Sequence, residues 1–309
     1  MDLRDTIFEQ FVEFAKVDKK TIILVNDQAA FTLNKFREEF PNQYINVGIA
    51  EQNIMNVATG LSLSGFKVYA YGITNFMSIR CADQLYTNLS CMNLPITIIA
   101  SGGGLTYATG GPTHHATIDI NLIRSFPNFT IYNPCDEITT RMALLQSQKS
   151  KGPLYIRLEK GTFTSMHAND IKPEDSFSEI IEGEKLAVVS TGHISHQVKN
   201  VCESLISKGH SVGFFDIFRI KPFSHDAFNE IIKKYHKVAI VEEQTPFGGI
   251  YEQVQSSLME YRNFKEIKQF SLPDKPIYDY GSREWIRGKY KLGADYLYGE
   301  FKEFLTRDL

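Results

Sequence analysis

Cysteine is scarce and scattered: Cys81, Cys91, Cys135 and Cys202 are the full set, and none forms a CxxC pair. That spacing speaks against zinc modules and disulfide frameworks and suits a reduced, cytoplasmic chain. No apolar run approaches the roughly 18 residues that a membrane-spanning helix needs, so none is expected. Basic residues are not in excess; the formal net charge is -3, which argues against general nucleic-acid binding. The first residues, Met1-Asp2-Leu3-Arg4-Asp5, lack a basic region followed by an apolar stretch, so no secretory leader is expected. What is present is 309 residues with 43% hydrophobic content, ample for one large or two medium domains with buried cores.

Short β-branched runs recur at 21–26 (TIILVN), 67–71, 96–100 (ITIIA), 130–132 and 154–157. Several are almost wholly apolar, as strands buried on both faces should be. Between them lie stretches of helical spacing. Residues 51–64 bring Ile54, Val57, Ala58 and Leu61 to one face, and 136–149 opens with an acidic first turn and carries Ile138, Met142 and Leu145 on one side. This alternation predicts a parallel sheet with helices on both faces. A polar stretch, 165–178, reads as a linker, and a second alternating series follows. Strands are expected at 186–190, 212–218, 238–242 and 267–270, and helices at 193–208 and 250–261, with Gly209 placed as a helix-terminating glycine. The chain is therefore read as two α/β domains, the second smaller.

Glu51, in the segment Asn46-Val47-Gly48-Ile49-Ala50-Glu51-Gln52-Asn53, opens a helix after a short extended run. By itself it is an ordinary first-turn acid, favoured there by the helix dipole. The loop Gly110-Gly111-Pro112-Thr113-His114-His115 offers adjacent histidines that point in different directions, so one site residue and one bystander is a better reading than a metal pair. The run Gly102-Gly103-Gly104 does not complete a dinucleotide fingerprint; it reads as a loop after a strand, where α/β proteins tend to place ligands.

In this order the segments resemble the C-terminal half of the transketolase family. The matching pieces are VGIAEQN at 47–53, FMSIRCADQ at 76–84, GGPTHH at 110–115, PNFTIYNPCDE at 127–137, GPLYIRLEKG at 152–161 and VEEQTPFGGI at 241–250. The resemblance implies a doubly wound, pyrimidine-binding thiamine diphosphate domain at 1–164, a linker at 165–180 and a smaller transketolase C-terminal α/β domain at 181–309. The family's first domain holds the diphosphate and Mg²⁺ through a Gly-Asp-Gly motif. No Gly-Asp dipeptide occurs here. The implied enzyme is thus split: an N-terminal subunit supplies the diphosphate/Mg²⁺ domain and the metal ligands, and an α2β2 assembly is expected.

The resemblance also implies residue roles. Glu51 hydrogen-bonds the pyrimidine N1′ of thiamine diphosphate and activates it, its carboxyl keeping or sharing a proton beside an apolar wall that includes Ile49 and Ile54. Phe76 stacks on the aminopyrimidine, with Ile79 beside the same ring, and Asp27 lines the cofactor site. His114 contacts the substrate's hydroxyl and carbonyl groups, and Arg157 binds its phosphate through the bidentate guanidinium fork. Without the resemblance, Phe76 is a core phenylalanine, Asp27 a turn aspartate, and Arg157 half of a surface ion pair with Glu159. No chemistry is assigned to Glu242, Glu243, Gly248 or Gly249.

One departure stands out. Members usually carry an acid before the glycine of the GPTH loop, where this chain has Gly110. That places the ordinary pentose-phosphate pair in doubt, and a specialised sugar pathway becomes the expectation, with Tyr107 a candidate to fill the space. The expected activity is transfer of a two-carbon ketol unit from a ketose phosphate to an aldehyde acceptor, dependent on the partner chain. Alternatives are a carboligase or decarboxylase subunit like 1-deoxy-xylulose-phosphate synthase or the β chain of 2-oxo-acid dehydrogenases, or a non-catalytic regulatory subunit.

Overall fold

The structure, a computed structural model, describes residues 2–28, 30–168, 171–172, 174–263 and 265–307. Two compact units emerge: 1–103 with 122–173, and 104–121 with 174–309. Residues 169–170 and 173 of the expected linker lie outside the described residues.

The first unit is built on β1 (Thr21–Val25), β2 (Tyr44–Asn46), β3 (Lys67–Ile73), β4 (Thr97–Ser101), β5 (Thr130–Tyr132) and β6 (Leu154–Leu158). Their order is β5-β6-β4-β3-β1-β2, and each pairing is parallel. β1, β4 and β6 are buried at every position, which is why they are apolar runs rather than alternating ones. The helices here are α1 (Leu3–Val17), α2 (Phe31–Glu39), α3 (Glu51–Leu63), α4 (Thr74–Met77) and α5 (Ala82–Gln84); α6 (Asp119–Ser125) follows β4, and α7 (Glu137–Ser147) follows β5.

The order of strands decides where a ligand can enter. β1 connects through α2 to β2 on one side, whereas β3 connects to β4 on the other. Right-handed crossovers then put α2 and α7 on one face and α3 to α5 on the opposite face. The packing agrees: α1 lies against α2 and α7, while α3 packs on α4 and α5. β1 and β3 are neighbours whose following loops turn to opposite faces. The crevice at their carboxyl ends is a topological switch point.

The second unit contains β7 (Phe177–Ile181), β8 (Leu186–Ser190), β9 (Val212–Ile217), β10 (Arg219–Lys221), β11 (Lys237–Val241) and β12 (Glu266–Phe270). The main sheet runs β12-β11-β8-β9-β7. It is parallel except at one edge, where β7 pairs antiparallel with β9. β7 occupies 177–180 of the stretch read as linker; as a half-buried edge strand it needs no apolar run. Helices α8 (Ile194–Ile206), α9 (His225–Ile232), α10 (Ile250–Glu260), α11 (Arg283–Lys289) and α12 (Ala294–Thr306) complete the unit. Among the described residues, no helix is long and apolar enough to cross a membrane.

Candidate active site

A cleft opens at the switch point of the first unit, lined by Asn26, Asp27, Gln28, Ile49, Glu51, Ile73 and Phe76. Its walls come from three strand ends. β1 delivers Asn26 and Asp27, the turn after β2 delivers Ile49 and Glu51, and β3 delivers Ile73 and Phe76. Asn46 stitches the first two together. Its Oδ1 accepts from the backbone N–H groups of Asp27 (3.1 Å) and Gly48 (2.9 Å), and its Nδ2 donates to Asp27 Oδ1 (3.3 Å). That grip holds Asp27 in the left-handed region at φ 57, a conformation aspartate tolerates better than most residues.

Glu51 is the first residue of α3 and is buried. The expected apolar wall is only half present. Ile54 is fully buried, whereas Ile49 lines the cleft but is 77% exposed. Instead the carboxylate has a cationic neighbour: Arg80 Nη1 donates to Glu51 Oε2 at 2.8 Å. The same guanidinium lies over the Phe76 ring, 4.0 Å from its centroid. Phe76 and Arg80 are four residues apart on an irregular helical stretch, the spacing at which side chains meet. Arg80 is the residue sequence reasoning missed here, although it lies inside the FMSIRCADQ segment. Ile79 is 40% exposed beside this stretch. Cys81, buried behind it, is no nucleophile: burial, reinforced by the Glu51 charge, pushes its thiol up to about 12.

Phe76 offers a half-exposed aromatic face and Glu51 a buried acceptor in one cleft. A flat heteroaromatic ring suits the aromatic face, and a nitrogen at its edge can meet the Glu51 carboxyl through one shared proton, so the residues fit an aminopyrimidine.

His114 and its loop belong to the second unit. His114 is half-buried, with Thr113 Oγ1 3.0 Å from its Nδ1 and the Tyr107 ring edge-on at 6.2 Å. Gly110 is what admits it: a Cβ at 110 would stand 2.7 Å from the His114 Cβ. The space beside Gly110 is therefore taken by His114, with Tyr107 against the ring. His115 is buried and its Nε2 donates to the Ala108 carbonyl at 3.0 Å. Burial lowers its pKa.

Arg157, at the end of β6, is not a surface residue: it is 3% exposed and donates to Asn133 Oδ1 at 3.3 Å. Gly103 lies over it, where a Cβ would come within 2.7 Å of Nη1.

Residues 1–165 match the family described as "Transketolase, pyrimidine binding domain", and residues 178–290 match "Transketolase, C-terminal domain". The chain is 27% identical over 287 residues to an apulose-4-phosphate transketolase subunit of Phocaeicola vulgatus, covering 91% of this chain and 90% of that one. It is 29% identical over 250 residues to a 6-deoxy-6-sulfo-D-fructose transketolase subunit of a Clostridium species, covering 80% and 78%. It is 26% identical over 287 residues to 1-deoxy-D-xylulose-5-phosphate synthase of Aquifex aeolicus, covering 92% of this chain but 45% of that longer one. A solved structure described as a split gene transketolase, inactive beta4 tetramer, superposes with a TM-score of 0.88 at 25% identity, covering 99% of this chain and all of that one. With both of its domain types matched in order, the chain belongs to the transketolase family and is similar over nearly its whole length to the second subunit of split transketolases.

Proposed function

We propose that this chain is the cofactor-activating subunit of a two-chain, thiamine-diphosphate-dependent transketolase, a transferase of aldehyde or ketone residues. It would move a two-carbon ketol unit from a ketose phosphate to an aldehyde acceptor. The observation that carries the reading is the switch-point cleft, where buried Glu51 and the partly exposed Phe76 ring meet. When bound, thiamine diphosphate supplies the nucleophilic thiazolium carbon that the protein itself lacks. Glu51 would hold or share a proton at the pyrimidine N1′, and Phe76 would stack on the ring with Ile49, Ile79 and Asp27 beside it. Arg80 braces the Glu51 carboxylate from the Phe76 side. His114 is assigned to the sugar's hydroxyl and carbonyl groups and Arg157 to its phosphate. The glycine at 103 lets the backbone pack directly on that guanidinium.

The partner chain would carry the diphosphate and Mg²⁺ ligands in an α2β2 complex, in keeping with the missing Gly-Asp dipeptide. A specialised sugar phosphate is the proposed donor; Gly110 and the unusual sugars named for both split-transketolase relatives support the specialisation, and the apulose-4-phosphate relative supports the phosphate. A cytoplasmic location goes with this reading and with four free cysteines.

The likeness to 1-deoxy-D-xylulose-5-phosphate synthase favours one competing chemistry, decarboxylation of a 2-oxo acid followed by carboligation. The complex isolated from its own cells with Mg²⁺ and thiamine diphosphate distinguishes them. Ketose cleavage without CO₂ supports the transketolase; pyruvate consumption with CO₂ release supports the other. In the same complex Glu51→Gln should lower turnover by at least about 10²–10⁴-fold, the usual worth of positioned acid–base help. Unchanged turnover would overturn the catalytic reading and leave a regulatory subunit.

A further inference from the structure

The pair Glu242-Glu243, to which the sequence attaches no chemistry, follows β11 and does two different things. Glu242 is a helix cap. Its Oε2 accepts from the backbone N–H of Ile250 at 2.8 Å and its Oε1 from that of Tyr251 at 3.2 Å, at the start of α10. Glu243 faces the other way, into the loop that bears His114.

Glu243 is buried between two arginines of α11. Arg283 Nε donates to Oε1 at 3.0 Å, its Nη2 donates to Oε2, and Arg287 Nε donates to Oε1 at 2.6 Å. Burial opposes the charge, but the two guanidinium groups prevail and hold this carboxyl well below the usual range. Its Oε2 also accepts from the Leu105 backbone N–H at 3.3 Å, and Arg283 Nη1 donates to Thr106 Oγ1 at 3.2 Å. Contact this close requires a glycine at 104: its φ is 54, and a Cβ there would fall 2.2 Å from Glu243 Oε2.

The other end of the loop is held by the next two residues. Gln244 Nε2 donates to the Ala116 carbonyl (3.1 Å) and to Asp119 Oδ1 (3.2 Å). The Thr245 backbone N–H donates to the Thr117 carbonyl (2.9 Å), and Asn121 Nδ2 donates to Thr245 Oγ1 (3.0 Å). Gly104 and Ala116 close the loop upon itself by exchanging backbone hydrogen bonds of 3.1 and 2.9 Å. Residues 243–245 thus grip both feet of the 104–117 loop, and His114 rides on it.

We infer that Glu243, Arg283 and Gln244 are positioning residues for the sugar substrate: they fix the His114 loop and so set substrate affinity, without touching the cofactor cleft. This rests on the assignment of His114 to substrate given above. A buried, charge-assisted anchor is suited to the task, because each of its bonds is directional and expensive to leave unmade.

Glu243→Gln would take the shared negative charge from Arg283 and Arg287 and threatens the fold, so the test uses the loop side of the anchor. Thr106→Val removes the hydroxyl that Arg283 grips, and Thr106→Ser restores it; His114→Ala is the control. All are measured in the complex with its partner chain, by hydrogen exchange of 104–121, by donor KM and kcat, and by thiamine diphosphate affinity. The expected result for Thr106→Val is about tenfold faster exchange in 104–121 and a several-fold higher donor KM. Its kcat and cofactor affinity should stay within about twofold, and Thr106→Ser should return to the parent values. Unchanged exchange and KM in Thr106→Val, while His114→Ala raises KM, would overturn the inference and leave the His114 assignment standing. If His114→Ala leaves KM unchanged, the His114 assignment fails and the inference falls with it.

Discussion

Asp136→Asn tests a clasp at the foot of the first unit. Asp136 caps α7: its Oδ1 accepts from the Thr139 backbone N–H (2.9 Å) and from Thr139 Oγ1 (2.6 Å). Its Oδ2 gathers the segment after β6, accepting from the backbone N–H groups of Met166 (2.8 Å) and His167 (3.0 Å) and pairing with His167 Nδ1 (2.9 Å). Both side chains of that pair are fully buried. Cys135 Sγ lies 3.9 Å from the same ring nitrogen. An asparagine can keep the α7 cap or the Oδ2 contacts, not both, because its amide nitrogen is a donor facing donors. Each buried donor left without an acceptor costs about 1–3 kcal/mol. Taking a buried carboxylate away from the several donors it satisfies costs about 3–5 kcal/mol in all, because the segment can relax. For a unit of this size that is a fall of about 6–20 °C in its unfolding temperature. Differential scanning calorimetry reads it directly. The pH dependence has a definite sign. Burial would raise the Asp136 pKa, but the His167 and Thr139 contacts outweigh it and hold the carboxyl well below its usual range. An unfolded aspartate titrates at about 3.9, so the stabilisation is complete above about pH 5 and is lost progressively as pH falls from about 4 down through the depressed native value. The gap between parent and variant should therefore be narrower at pH 3 than at pH 6. A fall of less than about 2 °C, or a gap as wide at pH 3, would refute the clasp.

Gly110→Ala puts a methyl group 2.7 Å from the His114 Cβ. It should destabilise by about 1–3 kcal/mol and raise the donor KM as the ring is pushed aside; parent-like melting and kinetics would mean that His114 yields without cost. Phe76→Ala removes both the expected ring stack and the surface on which Arg80 rests. A stack is worth about 0.5–1.5 kcal/mol beyond area burial, so the thiamine diphosphate dissociation constant of the complex should rise at least about 2- to 10-fold by titration calorimetry. An unchanged constant would remove Phe76 from the cofactor site.

The fold was legible where burial itself writes the pattern. The runs at 21–26, 96–100 and 154–157 became β1, β4 and β6 within a residue at each end, because a strand covered on both faces is mostly apolar, Arg157 in β6 being the charged exception. The edge strand β7 was hidden in a polar stretch for the complementary reason. Glu51 was legible as a helix-opening glutamate inside a family segment, but its ion-pair partner was not. Arg80 lies 29 residues away, and only the packing of α3 against the stretch after β3 brings the two together. The spacing of Phe76 and Arg80 was the one local cue. Glu243 shows the same limit more sharply, since its arginines lie 40 and 44 residues on and the loop it anchors 138 residues back. Even the glycine run at 102–104, read simply as a loop, has reasons found only in space: Gly103 lies over the Arg157 guanidinium and Gly104 makes room for the Glu243 carboxylate. A hydrophobic face states its requirement in its own periodicity. A buried charge requires partners, and the chain positions of those partners are set by topology, so polar sites are where a sequence reading names one residue of a cluster and misses the rest.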